Sequence, residues 1–342
     1  MNSTSSFSSL RLSSLFSFSK EDTSILKGYG ILFMIFHHVF GLYALPQGID
    51  TSWIHPWLTF IAPKGKICVC LFIFITGYAM GIKMNTTTSF LSLTKAGFLH
   101  YFKFWRVYFL CLILVISISW AFSLSMLIPN QTITWKGMIL IFTGLRPCYP
   151  DWWYMILFAV SSVAVYPFCA WLTRTTTPCF TMCTLLVVSI ILQKATFFPL
   201  IRDNIHFISY FIFGYMYSIL TTKLPNLPRS DIWKILLILF LEILSILFLE
   251  TEKSHIILVL FSLWCLPWIT KKLRLTSLLT LLGTYSALMW LNHRFIFGYY
   301  FCWSLYATHN ATLIFSITLI GSLLLAMIMQ RLFSLVLHRP KH

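Results

Sequence analysis

The chain has 342 residues, of which 58% are hydrophobic and only 10% charged, and its formal net charge is +16. A soluble globular domain carries roughly 25% charged residues, so a water-soluble protein this apolar would expose greasy patches and aggregate. The mean hydropathy of +0.82 points to lipid as the solvent, and the basic residues sit in short loops, where they read as topology signals facing anionic lipid rather than as a nucleic-acid surface.

Residues 1–20 are rich in Ser and Phe and hold no acidic residue. A signal peptide would place a small-residue cleavage site after its apolar core, and none is recognisable, so residues 1–22 are expected to form a cytoplasmic tail. Ten apolar stretches follow, at about 25–45, 66–83, 104–128, 152–172, 179–195, 204–222, 232–250, 254–270, 278–300 and 311–331. Spanning a hydrocarbon core takes about 20 mostly apolar residues. The runs are continuous rather than alternating, which excludes a barrel and favours helices that satisfy their own backbone in lipid. Pro129 and Asn130 close the third stretch, Pro147 and Pro150 precede the fourth, and Pro225 and Pro228 part the sixth from the seventh. Trp135 to Leu145 is too short to span and is expected at the interface.

Charge sets the orientation. Of the 25 Lys and Arg residues, Lys64, Lys66, Lys136, Arg146, Lys194, Arg202 and Lys253 fall on the side opposite the N-terminus and Arg294 lies inside a span, leaving seventeen on the N-terminal side. The positive-inside rule then puts both termini in the cytoplasm. The expected fold is an all-α integral membrane protein of about ten transmembrane helices: residues 23–335 form the membrane domain and 336–342 a basic cytoplasmic tail. The nine cysteines form no pair of CxxC elements, so no metal site is expected; they read as small buried hydrophobes.

Few residues in the spans can do chemistry. Lys27 and His38, in the first span, are eleven residues apart. Eleven steps of 100° make three turns plus about 20°, so the two share a helix face, and a rise of about 16 Å puts Lys27 at the cytoplasmic edge and His38 near the midplane. An ionisable residue there is costly and marks function by default, and histidine suits proton transfer near neutral pH; a neutral histidine bonded inside the bundle is the alternative. His37 leaves that face by about 100°. Lys103 and Arg106 stand at the cytoplasmic start of the third span, as phosphate ligands or as ordinary positive-inside anchors. Asp151, beside Trp152 and Trp153, opens the fourth span on the outer side. His293 and Arg294 are adjacent in the outer half of the ninth and need water, an acceptor or a partner. Glu242 lies inside the seventh with no partner visible in the sequence.

Several segments resemble the membrane-bound acyltransferase-3 family. The first span, Lys27-Gly28 to His37-His38, is similar to the family's opening pattern of a basic residue, glycine, an apolar run and a histidine eleven residues after the basic one. Gly65 to Tyr78, with Thr76 where serine is usual, resembles the next signature. Phe104-Trp105-Arg106, Trp152-Trp153-Tyr154 with Tyr166-Pro167, and Tyr285 to His293 resemble the third, fourth and ninth spans. The matches run in order over nearly the whole chain.

The resemblance implies an enzyme: an O-acyltransferase, with acetyl as the favoured group, that takes the acyl unit from cytoplasmic acyl-coenzyme A. The acceptor would be a hydroxyl of a cell-surface carbohydrate, such as lipopolysaccharide or capsule, or its lipid-linked precursor. His38 inherits the catalytic role. Lys27, Lys103 and Arg106 would meet the donor; Asp151, Trp153 and His293 would meet the acceptor. Acetyl-coenzyme A would be a substrate, with no bound cofactor. The cell inner (plasma) membrane and polysaccharide-assembly proteins are the implied setting. A polytopic polysaccharide or solute transporter, or a flippase, is the rival; paired broken helices and repeat symmetry would favour it, and neither is visible.

Overall fold

The computed structural model describes residues 17–41, 45, 48–83, 89–121, 134–147, 149–194, 204–223, 229–249 and 254–337. Among them every regular element is helical: α1 (Lys20–Phe40), α2 (Pro56–Ile61), α3 (Ile67–Ile82), α4 (Phe90–Ala121), α5 (Trp135–Phe142), α6 (Tyr154–Val160), α7 (Tyr166–Thr175), α8 (Pro178–Lys194), α9 (Ile208–Lys223), α10 (Arg229–Leu249), α11 (Ser254–Lys272), α12 (Thr276–Arg294), α13 (Cys302–Tyr306) and α14 (Ala311–Leu337). Short 3₁₀ turns cover Ala62–Lys66, Pro150–Trp153 and Ile205–Phe207, and π-helical turns cover Ser161–Val165 and Phe295–Tyr300. Residues 1–16 and 338–342 of the expected tails, and the breaks at Pro129–Asn130 and Pro225–Pro228, lie outside the described residues.

Among the described residues, six helical segments are long and apolar enough to cross a membrane: Lys20–Phe40, Pro56–Ile82, Phe90–Ile118, Asp151–Thr175, Ile205–Thr222 and Ala311–Ser334. Large apolar side chains stand on the surface, among them Trp120 at 85%, Trp135 at 80% and Phe60 at 77% exposure. Such a surface is stable against lipid chains, not water.

Two helix starts differ from expectation. The first begins at Lys20, not near residue 25, because Ser19 and Asp22 build a capping box. The Ser19 amide and hydroxyl donate to the Asp22 carboxylate at 3.0 and 2.7 Å, and the Asp22 amide donates back to Ser19 Oγ at 3.0 Å. That reciprocal pairing satisfies amides a helix start leaves open. The helix ends at Phe40, so His37 and His38 occupy its last turn, and His38 lies toward the far end of the helix rather than halfway along it. The other change is α4, which starts at Phe90 rather than 104 and has 32 residues. Leu93, Gly97 and Tyr101 are buried at helical spacing, so an amphipathic stretch precedes the apolar one. At 1.5 Å per residue α4 is about 48 Å long, which exceeds a hydrocarbon core of about 30 Å.

The chain divides into two compact units. The first comprises Met1–Thr23, Val69–Phe102 and Tyr154–Trp264. In it α3 and α9 approach through glycines: a Cβ on Gly77 would strike the Phe211 carbonyl, and one on Gly214 the Phe74 carbonyl. Glu242 of α10 is fully buried and accepts a 2.5 Å hydrogen bond from Ser189 of α8.

The second unit comprises Ser24–Cys68, Lys103–Trp153 and Cys265–His342. Its centre is the crossing of α1 and α12, where a Cβ on Gly28 would meet the Leu279 carbonyl and one on Gly283 the Ser24 carbonyl. Asn292 of α12 donates to the Ser322 carbonyl of α14 at 3.2 Å. Tyr306 of α13 donates to the Val39 carbonyl at 2.7 Å and ties down the end of α1. These contacts bring the last turns of α1 and α12 together.

Candidate active site

At that junction three polar side chains from distant parts of the chain meet. His38 Nδ1 and His293 Nε2 are 2.6 Å apart although 255 residues separate them. Their rings stack with centroids at 4.9 Å and planes at 15°. Asp151 enters from the 3₁₀ turn before α6, with a carboxylate oxygen 3.8 Å from His38 Nε2. Arg294 Nη1 donates to both oxygens of Asp151, at 2.7 and 2.6 Å. Asp151, His293 and Arg294 are buried, and a charge pair held out of water needs this direct contact to be tolerated.

Carbonyl oxygens only accept, and that settles the tautomers. His293 Nδ1 is 2.8 Å from the Trp290 carbonyl and therefore carries the proton. In the neutral ring Nε2 is then an acceptor. His38 Nδ1 must supply the proton in the bond between the two histidines, which leaves His38 Nε2 as a bare lone pair. A base with a carboxylate beside it is the result: if His38 takes a proton, Asp151 stabilises the imidazolium. His37 is held separately, its Nδ1 donating to the Ala62 carbonyl at 2.9 Å.

Local sequence builds the frame. His293 and Arg294 close α12, and the π-helical turn Phe295–Tyr300 follows at once. Single π turns inside helices often accompany functional sites. Gly298 leaves room for the arginine, since a Cβ there would lie 2.9 Å from Arg294 Cγ. Phe297 lies under the guanidinium, 5.9 Å from its ring centre. Trp152 donates to the Leu291 carbonyl at 3.2 Å and packs edge-on against Tyr149 and Tyr108, which fixes the turn carrying Asp151.

The structure therefore brings together three of the residues singled out from sequence: His38, His293 and Asp151. Lys27 is half-buried, about 16 Å along α1 from His38. Lys103 and Arg106 are exposed on α4, within the helix rather than at its start. Trp153 is half-buried, and its neighbour Trp152 is the one packed behind the site. Sequence reasoning noted Arg294 but assigned it no partner; its only signal was the need of a cation in a span for a counter-ion.

The ligand atoms of His38, Asp151 and His293 all lie within 4.8 Å of one another, so by residue type the three could hold a metal ion. Their bonding favours proton handling instead. The lone pair of His293 Nε2 is used on His38 Nδ1, so a cation held by all three would have to break that bond and sit beside a guanidinium.

Compared with known proteins, the chain matches no family model, no curated protein and no solved structure.

Proposed function

We propose that the chain is a membrane O-acyltransferase of the inner (plasma) membrane. It moves an acyl group, with acetyl as the first candidate, from cytoplasmic acyl-coenzyme A to a hydroxyl of a cell-surface carbohydrate or its lipid-linked precursor. The observation that carries this reading is the pairing of half-buried His38 with buried His293, which leaves His38 Nε2 as an oriented base beside Asp151. The ordered likeness of the sequence segments to acyltransferase-3 proteins adds the substrate class.

In this reaction His38 Nε2 takes the proton of the acceptor hydroxyl as its oxygen attacks the thioester carbonyl. The carbon–oxygen bond of the new ester forms and the carbon–sulfur bond breaks. The imidazolium then returns the proton to the leaving thiolate, so coenzyme A departs as the free thiol. Asp151 balances the transient charge on His38, and Arg294 keeps Asp151 ionised and in place. Lys27, Lys103 and Arg106 are assigned to the donor's phosphates on the cytoplasmic side. Trp153 is assigned to the acceptor, together with Asp151 and His293, which also hold His38 in place. Ten spans and two cytoplasmic termini belong to the same proposal.

Thiol release tests it. Membranes from the native host, with and without the protein, are given acetyl-coenzyme A, and free thiol is followed with their endogenous glycan as acceptor. Release that depends on the protein and falls by about 10²–10⁴-fold in His38→Ala is expected, the usual cost of losing a general base. Release independent of the protein, or solute uptake without it, would favour a carrier. Arg106→Ala is expected to raise the half-saturating acetyl-coenzyme A concentration about ten- to a hundredfold, the equivalent of one charge-assisted contact; an unchanged value assigns Arg106 to anchoring alone.

A further inference from the structure

A second polar centre lies in the other unit and uses none of the residues above. Arg174 is in the last turn of α7. A cation there is favoured by the helix dipole, and an anchoring arginine would turn its head to water or lipid headgroups. Arg174 does the opposite. Both of its terminal nitrogens are sealed from solvent, and among the described residues neither has a hydrogen-bond partner. An enclosed guanidinium without acceptors is costly, and folds keep one only when something compensates it.

Among the described residues the surroundings hold hydroxyl donors. Tyr166 opens α7, and Tyr215 of α9 meets the end of α7 at Thr173, the residue before Arg174; both tyrosine side chains are buried. Tyr215 Oη is 3.3 Å from Thr173 Oγ1, whose proton goes to the Cys169 carbonyl at 2.7 Å. Tyr215 is therefore the donor in that long contact and can exchange it for a better acceptor. Among the described residues no carboxylate accepts from either terminal nitrogen of Arg174. The planar fork of an arginine with a phenol beside it suits an anion that offers several oxygens at once, which describes a phosphate group.

We infer that Arg174 and Tyr215 form a phosphate-binding site on the side of the membrane that positive-inside charge assigns to the N-terminus. The shared chemistry is a phosphate ester. Its source is either a soluble phosphorylated compound or the headgroup of an anionic phospholipid. The site stands independently of acyl transfer at His38.

The test uses the full chain purified in a neutral detergent. Thermal melting is followed against inorganic phosphate, glycerol 3-phosphate and phosphatidylglycerol, in wild type and Arg174→Met. Without ligand the Met variant is expected to melt at or above the wild-type temperature, because an uncompensated buried charge is gone. Its half-saturating ligand concentration is expected to rise roughly tenfold to a hundredfold, the loss of a charge-assisted contact. A wild-type response to phosphate and glycerol 3-phosphate identifies a soluble ligand; a response to phosphatidylglycerol alone identifies a headgroup. Should Arg174→Met not fold, Arg174→Lys and Tyr215→Phe keep most of the packing and are expected to weaken the response severalfold. Overturning results are a wild type that responds to none of the three, or variants with the wild-type response.

Discussion

At the scale of single residues, the account rests on which side chain uses which atom. Asp151 and Arg294 are a buried ion pair, so removing one partner strands the other's charge. Asp151→Asn is expected to cost about 3–5 kcal/mol of stability, read as a lowered melting temperature in detergent. The double change Asp151→Asn with Arg294→Gln should cost less than the sum of the single changes; simple additivity would mean the two do not act as a pair. His293 is a positioning residue for His38. His293→Leu removes the acceptor for His38 Nδ1, whereas the amide oxygen of His293→Gln can still accept it. Both variants should lose acylation, Leu by about tenfold more than Gln, with similar amounts of protein in the membrane; equal losses would assign His293 a merely structural part. His38 could be singled out in the sequence because it shares a helix face with Lys27. Its bond to His293 could not, because periodicity speaks only of neighbours on one helix and these two are 255 residues apart. That Trp152 fixes the turn carrying Asp151 was not legible, since either indole suits a span end and only tertiary contact shows which carbonyl it reaches.

At the scale of helices, close approach through glycine decides whether the site exists. Gly28 and Gly283 let α1 and α12 cross with backbone against backbone, and His38 and His293 close those same two helices. Gly283→Leu would drive a side chain into the Ser24 carbonyl. Overpacking of this kind costs about 1–3 kcal/mol, and here it also spreads the histidine pair. Acylation by Gly283→Leu should therefore fall further than by Ser19→Ala, which loses only a helix cap worth about 1 kcal/mol. Parallel assays and melts of the two variants compare them, and equal activity at unequal stability would contradict the link. The start of α1 was legible in the sequence as a Ser with an acid three residues on. The span reading passed over it because Lys20, Glu21 and Asp22 are too polar for lipid. A helix can begin in water and enter lipid a turn later, and α4 makes the same point with its amphipathic first part.

At the scale of the whole molecule, the apolar character of the surface varies from helix to helix. Only 22% of the most apolar window of Phe90–Ile118 is buried, against 83% for Ile205–Thr222, so the former is a lipid-facing helix and the latter a core one. Class and solvent were therefore legible from composition, while the partition into two units was not, because it depends on contacts between helices that hydropathy does not register. Both termini are expected in the cytoplasm, since seventeen basic residues fall on that side. Reporter fusions at His342 and near Asp50 check this, and an external C-terminus or a cytoplasmic Asp50 loop would refute the ten-span arrangement. The central claim, acyl transfer by a base at His38, is tested most directly by mass spectrometry of surface glycans from three strains of the native host. One strain lacks the protein, one carries the wild type, and one carries His38→Ala at an equal level in the membrane. The account predicts acyl mass increments in the wild-type strain alone; the same increments in the His38→Ala strain would contradict it.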